Sequence, residues 1–179
     1  MKKAFLFLAE GFEEIEAIAT IDILRRADIA LTTVSIHAHK NVIGAHNITI
    51  EADSIFTETD FSGGDMLILP GGSIKLFEFS PLHEPVLQYS EQEKYLAAIC
   101  AAPAILGSLG LLQGKEAVCY PGYENYLQGA TIVDKPVVVA GNIITAKAAG
   151  CTIEFALTLI ELLENKKLAD KIAGQIFFQ

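Results

Sequence analysis

No apolar run in this chain of 179 residues is long enough to span a bilayer; each is broken early by charge, Gly or Pro. A positive net charge is lacking too. The formal net charge is −9, which excludes nucleic acid as an expected partner, because its phosphates would be repelled. Cysteine is scarce: Cys100, Cys119 and Cys151 are odd in number and irregular in spacing, so they form no disulfide framework and contain no CxxC metal pattern. The histidines His37, His39, His46 and His83 have no metal-site spacing supported by neighbouring ligands, so no metal is expected. An export signal is missing as well. The opening "MKKAFLFLAEGFEE" imitates one, but its apolar run from Ala4 to Ala9 is shorter than the ~7–15 residues of an h-region and leads straight into Glu10. The expectation is a cytoplasmic protein whose first apolar run is a β-strand. Repeats, low-complexity tracts and linkers are absent, which predicts one domain over residues 1–179.

What is present is a regular alternation. The hydrophobic fraction is 51% and the charged fraction 20%, as in ordered globular chains. Lys3–Ala9 reads as a strand and Gly11–Ala27 as a helix, with Arg25 and Arg26 in its last turn, where the helix dipole favours cations. Ala30–Ile36 reads as a strand, and Asn47–Glu51, after "HKNVIGAH", as half of a small hairpin. Asp65–Leu69 is a short apolar strand; Pro81–Lys94 is helical, with Pro81 at its start. A strand ends at Ile99 and a helix begins near Ala101. Val137–Ala140 and Ile143–Thr145 flank "GN" as a hairpin. Gly150–Glu164 is a long amphipathic helix, and a short one begins near Leu168. The alternation predicts an α/β three-layer sandwich with a mainly parallel central sheet, whose ligand site lies beyond the carboxyl ends of its strands.

Three features fall at those ends. The first is Cys100 in "EKYLAAICAAPAIL", where a strand turns directly into a helix. Such an elbow projects its residue above the sheet, as in hydrolases with a nucleophilic serine. A helix N-terminus there lowers a thiol pKa from ~8.5 into the ~3.5–7.5 range. The residues alone leave two readings open, a nucleophile or a small core residue. The second feature is "LPGG", Leu69 to Gly72. Backbone N–H groups of Gly71, Gly72 and Ala101 are candidates to converge on an oxyanion beside the thiol, the alternative being an ordinary turn. The third is "AEGFEEIEA". Phe12, Ile15, Glu16, Ala19 and Ile23 share one helical stripe, which puts Glu16 on a face expected to be buried and leaves Glu13 and Glu14 toward solvent or the helix start. A buried carboxyl has its pKa raised and can serve as an acid; a place on the stripe's rim would leave it solvated.

Together with "ITAKAAGCTIEFAL", these motifs resemble, in order and spacing, the ThiJ/PfpI superfamily, and within it the branch of the parkinsonism-associated deglycase. The resemblance runs from Lys3 to about Glu164. It implies a flavodoxin-like fold, a homodimer, Cys100 as elbow nucleophile, Glu16 as a protonated carboxyl touching its sulfur, and an oxyanion site made by the amides of Gly72 and Ala101. Two departures stand out. Many members carry a histidine after the next strand, where "AVCYPGYEN" has Tyr120. No histidine follows Cys100, which counts against a Cys–His pair. Tyr120 is then a weak acid, a hydrogen-bond donor or a lining residue. Relatives also often carry an arginine reaching the partner subunit's site, where this chain has His46. Arg26 matches a family arginine near the subunit contact. Three function classes follow: a cofactor-free enzyme on small reactive carbonyls or glycated substrates, a protein responding to oxidation of Cys100, and a hydrolase of the peptidase or amidase kind.

Overall fold

The computed structural model describes residues 1–178. Strand β1 (Lys3–Leu8) is followed by helix α1 (Thr20–Arg26), β2 (Ala30–Ser35), the hairpin strands β3 (Asn41–Ile43) and β4 (Thr49–Glu51), and β5 (Ser54–Ile55). Next come β6 (Met66–Leu69), α2 (Lys75–Glu78), α3 (His83–Glu91), β7 (Tyr95–Ile99) and α4 (Pro103–Ser108). The chain closes with β8 (Glu116–Ala117), β9 (Thr131–Ile132), β10 (Val137–Ala140), β11 (Ile143–Ala146), α5 (Thr152–Leu163) and α6 (Lys166–Gln175).

The central sheet has the order β10-β11-β7-β6-β1-β2-β5 and is parallel except for β10, which pairs antiparallel with β11. Register is set by pairs such as Ala4 with Met66, Met66 with Tyr95, and Leu96 with Ile143. A parallel strand covered on both faces needs apolar residues throughout, which is why "AFLFL" and "LAAI" do not alternate with polar residues. Their side chains divide between two cores. Leu6, Leu8, Ile68 and Ile99 pack under α1, α5 and α6, with Leu24, Phe155 and Ile172. Phe5, Phe7, Leu69 and Ala98 pack under α3 and α4, with Val86, Tyr89 and Ile105. Each fully buried side chain of this size contributes ~1.5–3 kcal/mol. The result is the α/β three-layer sandwich that the alternation predicts, in the flavodoxin-like form that the resemblance implies.

Differences from the sequence reading are local. The first helix does not begin at Gly11. Gly11 takes a positive φ of 79° and Phe12 forms a bridge with Gly72, so the chain is a turn until Glu14. Ile15–Ala19 is then a π-helical turn, and α1 follows it. Helix α3 is preceded by a 3₁₀ turn, Ser80–Leu82, that contains Pro81. Helix α4 starts at Pro103, two residues later than expected, because the elbow and a turn come first. Helix α6 starts earlier than Leu168, since Asn165 caps it by accepting the Leu168 N–H at 3.0 Å.

The strand order reverses between β6 and β1, and β7 flanks β6. The segments leaving the carboxyl ends of these three strands are Ala9–Glu16, Pro70–Ser73 and Cys100–Ala101, and they meet at this switch point.

Candidate active site

Cys100 has φ +66°, a left-handed conformation that costs a non-glycine residue ~1–3 kcal/mol and persists only where its surroundings enforce it. Two hydrogen bonds do so. The Cys100 N–H donates to Ala146 O at 2.9 Å, and the Cys100 carbonyl accepts from Tyr120 N–H at 2.7 Å. The end of β11 and the loop after β8 thus clamp the elbow from either side. The side chain is half-buried.

Glu16 approaches from the π-helical turn and is 1% exposed. Its Oε2 accepts the Gly71 N–H at 2.7 Å, and its own N–H donates to Glu13 Oε2 at 2.8 Å. Its Oε1 is buried with no hydrogen-bond partner. Gly71 separates carboxyl and thiol. A Cβ there would stand 2.6 Å from Cys100 Cβ, 2.7 Å from Glu16 Oε2 and 3.1 Å from Cys100 Sγ, so only a glycine lets the two groups share this space. Gly72, at φ +112°, packs equally closely on the backbone of Gly11 and Glu13.

Burial pushes the Glu16 carboxyl up to about 7; the Cys100 thiol and the Gly71 N–H, which both face it, hold it from rising further. Burial, then the negative charge and hydrogen bond of Glu16, push the Cys100 thiol up to about 12, against the pull of the Ala101 N–H. This corrects the expectation of a thiol lowered by a helix N-terminus. Helix α4 begins three residues beyond Cys100, and the nearest strong field is that of a carboxylate. The two groups are coupled, so the charge on one sets the acidity of the other. When the proton moves to Glu16, the charge that raises the thiol disappears and the carboxyl gains a donor to offer the sulfur.

Of the three candidate oxyanion donors, Gly71 is engaged by Glu16. The N–H groups of Gly72 and Ala101 have no backbone or side-chain oxygen acceptor among the described residues, and that of Ala101 faces the sulfur.

The remaining predicted residues lie farther away. Tyr120 serves the elbow through its backbone, and its side chain is largely exposed. His46 is exposed and joined to Glu14: its N–H donates to Oε1 at 2.6 Å, and its Nδ1 lies 2.8 Å from Oε2. Glu14 is therefore buried, not solvated as the sequence suggested. Burial works to raise its carboxyl, but the hydrogen bonds of His46 outweigh this and hold it below the usual range, while Glu14 raises His46. Ile15, placed on the buried stripe by the sequence, is 57% exposed. The wider i→i+5 turn shifts the phase of the helix, burying Glu14, Glu16 and Ala17 in place of Ile15. Arg26 pairs with Asp22 at 2.7 Å at the far end of α1, near the start of β2, so this chain does not bring it to Cys100. Among the described residues, Glu13, Glu14 and His46 are the group that places metal-type donor atoms within 4.8 Å of one another; both Glu14 oxygens are already used by His46.

A cleft that the sequence reading missed opens beside the elbow, between α2 and the turn containing Tyr126. It is small, with a cavity volume of about 30 Å³, and is lined by Gly71, Ala101, Ile74, Phe77, Ile105 and Tyr126 among others. The Phe77 and Tyr126 rings meet edge to face at 5.5 Å. The aromatic residues in "SIKLFEF" and "GYENY" were the available signal.

A flavodoxin-like sandwich with a strained cysteine at the end of a central strand, held against a buried carboxyl, defines a class of α/β proteins built around an elbow thiol. Residues 2–162 match the DJ-1/PfpI family, and the chain belongs to it. It is 36% identical to protein DJ-1 homolog B of Arabidopsis thaliana over 98% of this chain and 41% of that protein. The chain therefore spans less than half the length of that plant relative. It is 30% identical to the glutathione-independent glyoxalase DJ-1 of Schizosaccharomyces pombe, over 93% of each. The solved structure of oxidized Toxoplasma gondii DJ-1 superposes with a TM-score of 0.95 at 34% identity, covering 99% of both chains. These similarities place the chain in the DJ-1 branch of the family.

Proposed function

We propose that this protein is a cofactor-free, cysteine-dependent cytoplasmic enzyme acting on small reactive carbonyls, of the glyoxalase or deglycase type. The observation that carries this reading is the pairing of Cys100 on its elbow with Glu16, a carboxyl near neutrality. The glyoxalase name of the fission-yeast relative supports it.

For a 2-oxoaldehyde, the thiolate, its proton resting on Glu16, adds to the aldehyde carbon and forms a C–S bond. The new oxyanion accepts from the Gly72 and Ala101 N–H groups and takes the proton from Glu16. The carboxylate so formed removes the proton from that carbon and returns it to the adjacent one, while the hydroxyl proton passes from the first carbon's oxygen to the second's. The adduct is then a 2-hydroxy thioester. Water cleaves it, releasing the 2-hydroxy acid and regenerating the thiol. Oxidation of one carbon balances reduction of its neighbour, so no external reductant enters. Cys100→Ala should abolish lactate formation from methylglyoxal in metal-free buffer. Equal rates in the natural protein and this variant would defeat the reading.

A second reading, response to oxidation at Cys100, is favoured by the partly exposed cysteine and by the two amides, of Gly72 and Ala101, that are left without an acceptor. Under it, peroxide would convert Cys100 to a sulfinate that those amides hold. A peptidase-type reading calls for a histidine base, and the four histidines are engaged elsewhere. His37 accepts the Glu10 N–H, His39 stacks on His37, His46 pairs with Glu14, and His83 opens α3.

A further inference from the structure

A larger groove lies on the same edge of the sheet as Cys100, beyond the carboxyl ends of β2 and β5. Its volume is about 720 Å³, within the ~300–1,000 Å³ of small-ligand sites. The segment after β2, the turn after β5 and residues of α3 form its walls. Three half-buried phenyl rings line it: Phe56 meets Phe61 at 5.1 Å and meets Phe79 edge to face at 5.0 Å. Rings in contact that remain partly in water form a patch that a ligand would cover. The charges around them are of one sign. Asp60 and Glu84, both exposed, line the groove, and no Lys or Arg does among the described residues. Neither carboxyl joins an ion pair among the described residues. Asp60 accepts the Ser62 N–H at 2.9 Å and Glu84 accepts the Gln88 amide at 3.3 Å, which leaves most of the ~4 acceptor sites of each carboxylate to solvent. His37, also in the wall, does not supply the missing cation. Its Nε2 accepts the Glu10 N–H at 3.0 Å and so carries no proton, and burial lowers its pKa. Of the nearby lysines, Lys75 is paired with Glu10 at 2.7 Å and Lys3 lies over the Phe5 ring at 5.0 Å.

We propose that this groove is a binding site for a small organic cation, an ammonium ion carried on a flat aromatic body, with Phe56, Phe61 and Phe79 taking the body and Asp60 and Glu84 the charge. The groove shares no lining residue with the Cys100 centre, so the proposal stands apart from the carbonyl reading. Three features select this occupant. The phenyl rings offer edges and faces to another ring, and their faces attract a cation. Two carboxylates without a counter-charge would repel an anion, and a neutral ligand would leave their acceptor sites unmatched. The net charge of −9 draws cations toward the protein as a whole.

The test titrates naphthylmethylammonium into the isotope-labelled protein and follows the backbone amides of Thr57, Ser62 and Gln88 by NMR. Naphthylmethanol and naphthoate serve as neutral and anionic controls. The ammonium should give saturable shifts at these amides, and naphthoate none. Asp60→Asn combined with Glu84→Gln removes both charges at exposed positions and keeps the side-chain shapes, so the fold is undisturbed. This double variant should bind the ammonium about fivefold more weakly and naphthylmethanol as before. Cys100→Ala should bind the ammonium as the natural protein does. Ammonium shifts that are absent, or that map away from the groove, would overturn the proposal. So would naphthylmethanol binding as tightly as the ammonium, or a double variant whose affinity for the ammonium is unchanged. Shifts at the groove amides that arise from raising the protein concentration alone would give the groove to a second copy of the chain and overturn it as well.

Discussion

Replacing Glu16 by Gln should make this protein more stable at pH 8 while impairing its chemistry. Glu16 is 1% exposed, and burial raises its carboxyl from 4.5 to about 7. The folded chain holds this proton until about pH 7, whereas the unfolded chain releases it near 4.5. Between these values the folded state binds more protons, so stability falls as pH rises. The contribution is fully present below 4.5 and is lost by the time pH has passed 7. Over that interval the loss amounts to about 3 kcal/mol. An amide stays neutral throughout, has nearly the same shape, and still accepts the Gly71 N–H. The stability difference between Glu16→Gln and the natural protein should therefore grow in the variant's favour by about 3 kcal/mol from pH 4.5 to 8. The other titratable groups are common to both proteins and cancel in the difference. Urea unfolding followed by circular dichroism at several pH values gives the two curves. Parallel curves would mean that Glu16 is already ionised in the fold at pH 5, and the protonated carboxyl beside Cys100 would fall with it.

Three further outcomes are expected. Because the Glu16 carboxylate raises the thiol, Glu16→Gln should lower the Cys100 pKa and speed its alkylation by iodoacetamide at pH 8.5, where the natural carboxyl is ionised; equal rates in the two proteins, read by mass spectrometry, would exclude a carboxylate acting on the sulfur. Gly71→Ala should slow lactate formation by ~10²-fold or more, since its Cβ must push carboxyl and thiol apart by a large part of an ångström; a fully active, fully folded variant would refute the packing argument. The expected homodimer would cover the exposed Ile15, Ile18, Ile43 and Ile48 around the helix start and the β3–β4 hairpin, so light scattering should give twice 19.3 kDa and Ile18→Glu should give the single-chain mass; a natural protein of 19.3 kDa at micromolar concentration would rule the assembly out.

The sandwich was legible because its signals are local. Continuous apolar runs bounded by Gly and Pro mark strands buried on both faces, and a 3.6-residue period marks helices. The cysteine at the junction of "YLAAI" and "CAAPAIL" was legible for the same reason, since an elbow is a property of a few consecutive residues. The resemblance to the family added roles for Cys100 and Glu16 that periodicity left open. Other features depended on contacts between distant segments. The π-helical turn that exposes Ile15 and buries Glu14 is imposed by the hairpin, where Ala45 N–H bonds Phe12 O and His46 covers the Glu14 carboxyl. No helical period can announce that. The thiol's raised pKa was misjudged because the sequence shows a helix start near Cys100 but not the distance to it, nor a carboxyl from residue 16 lying closer. Gly71 looks like any turn glycine until three strand ends converge on it. The sequence by itself determined which segments pack and which residue stands at the elbow, because those follow from side chains adjacent in the chain. Only the tertiary structure decided the acidity of that residue and the cleft beside it, because desolvation and cavity shape are set by atoms far apart in the chain.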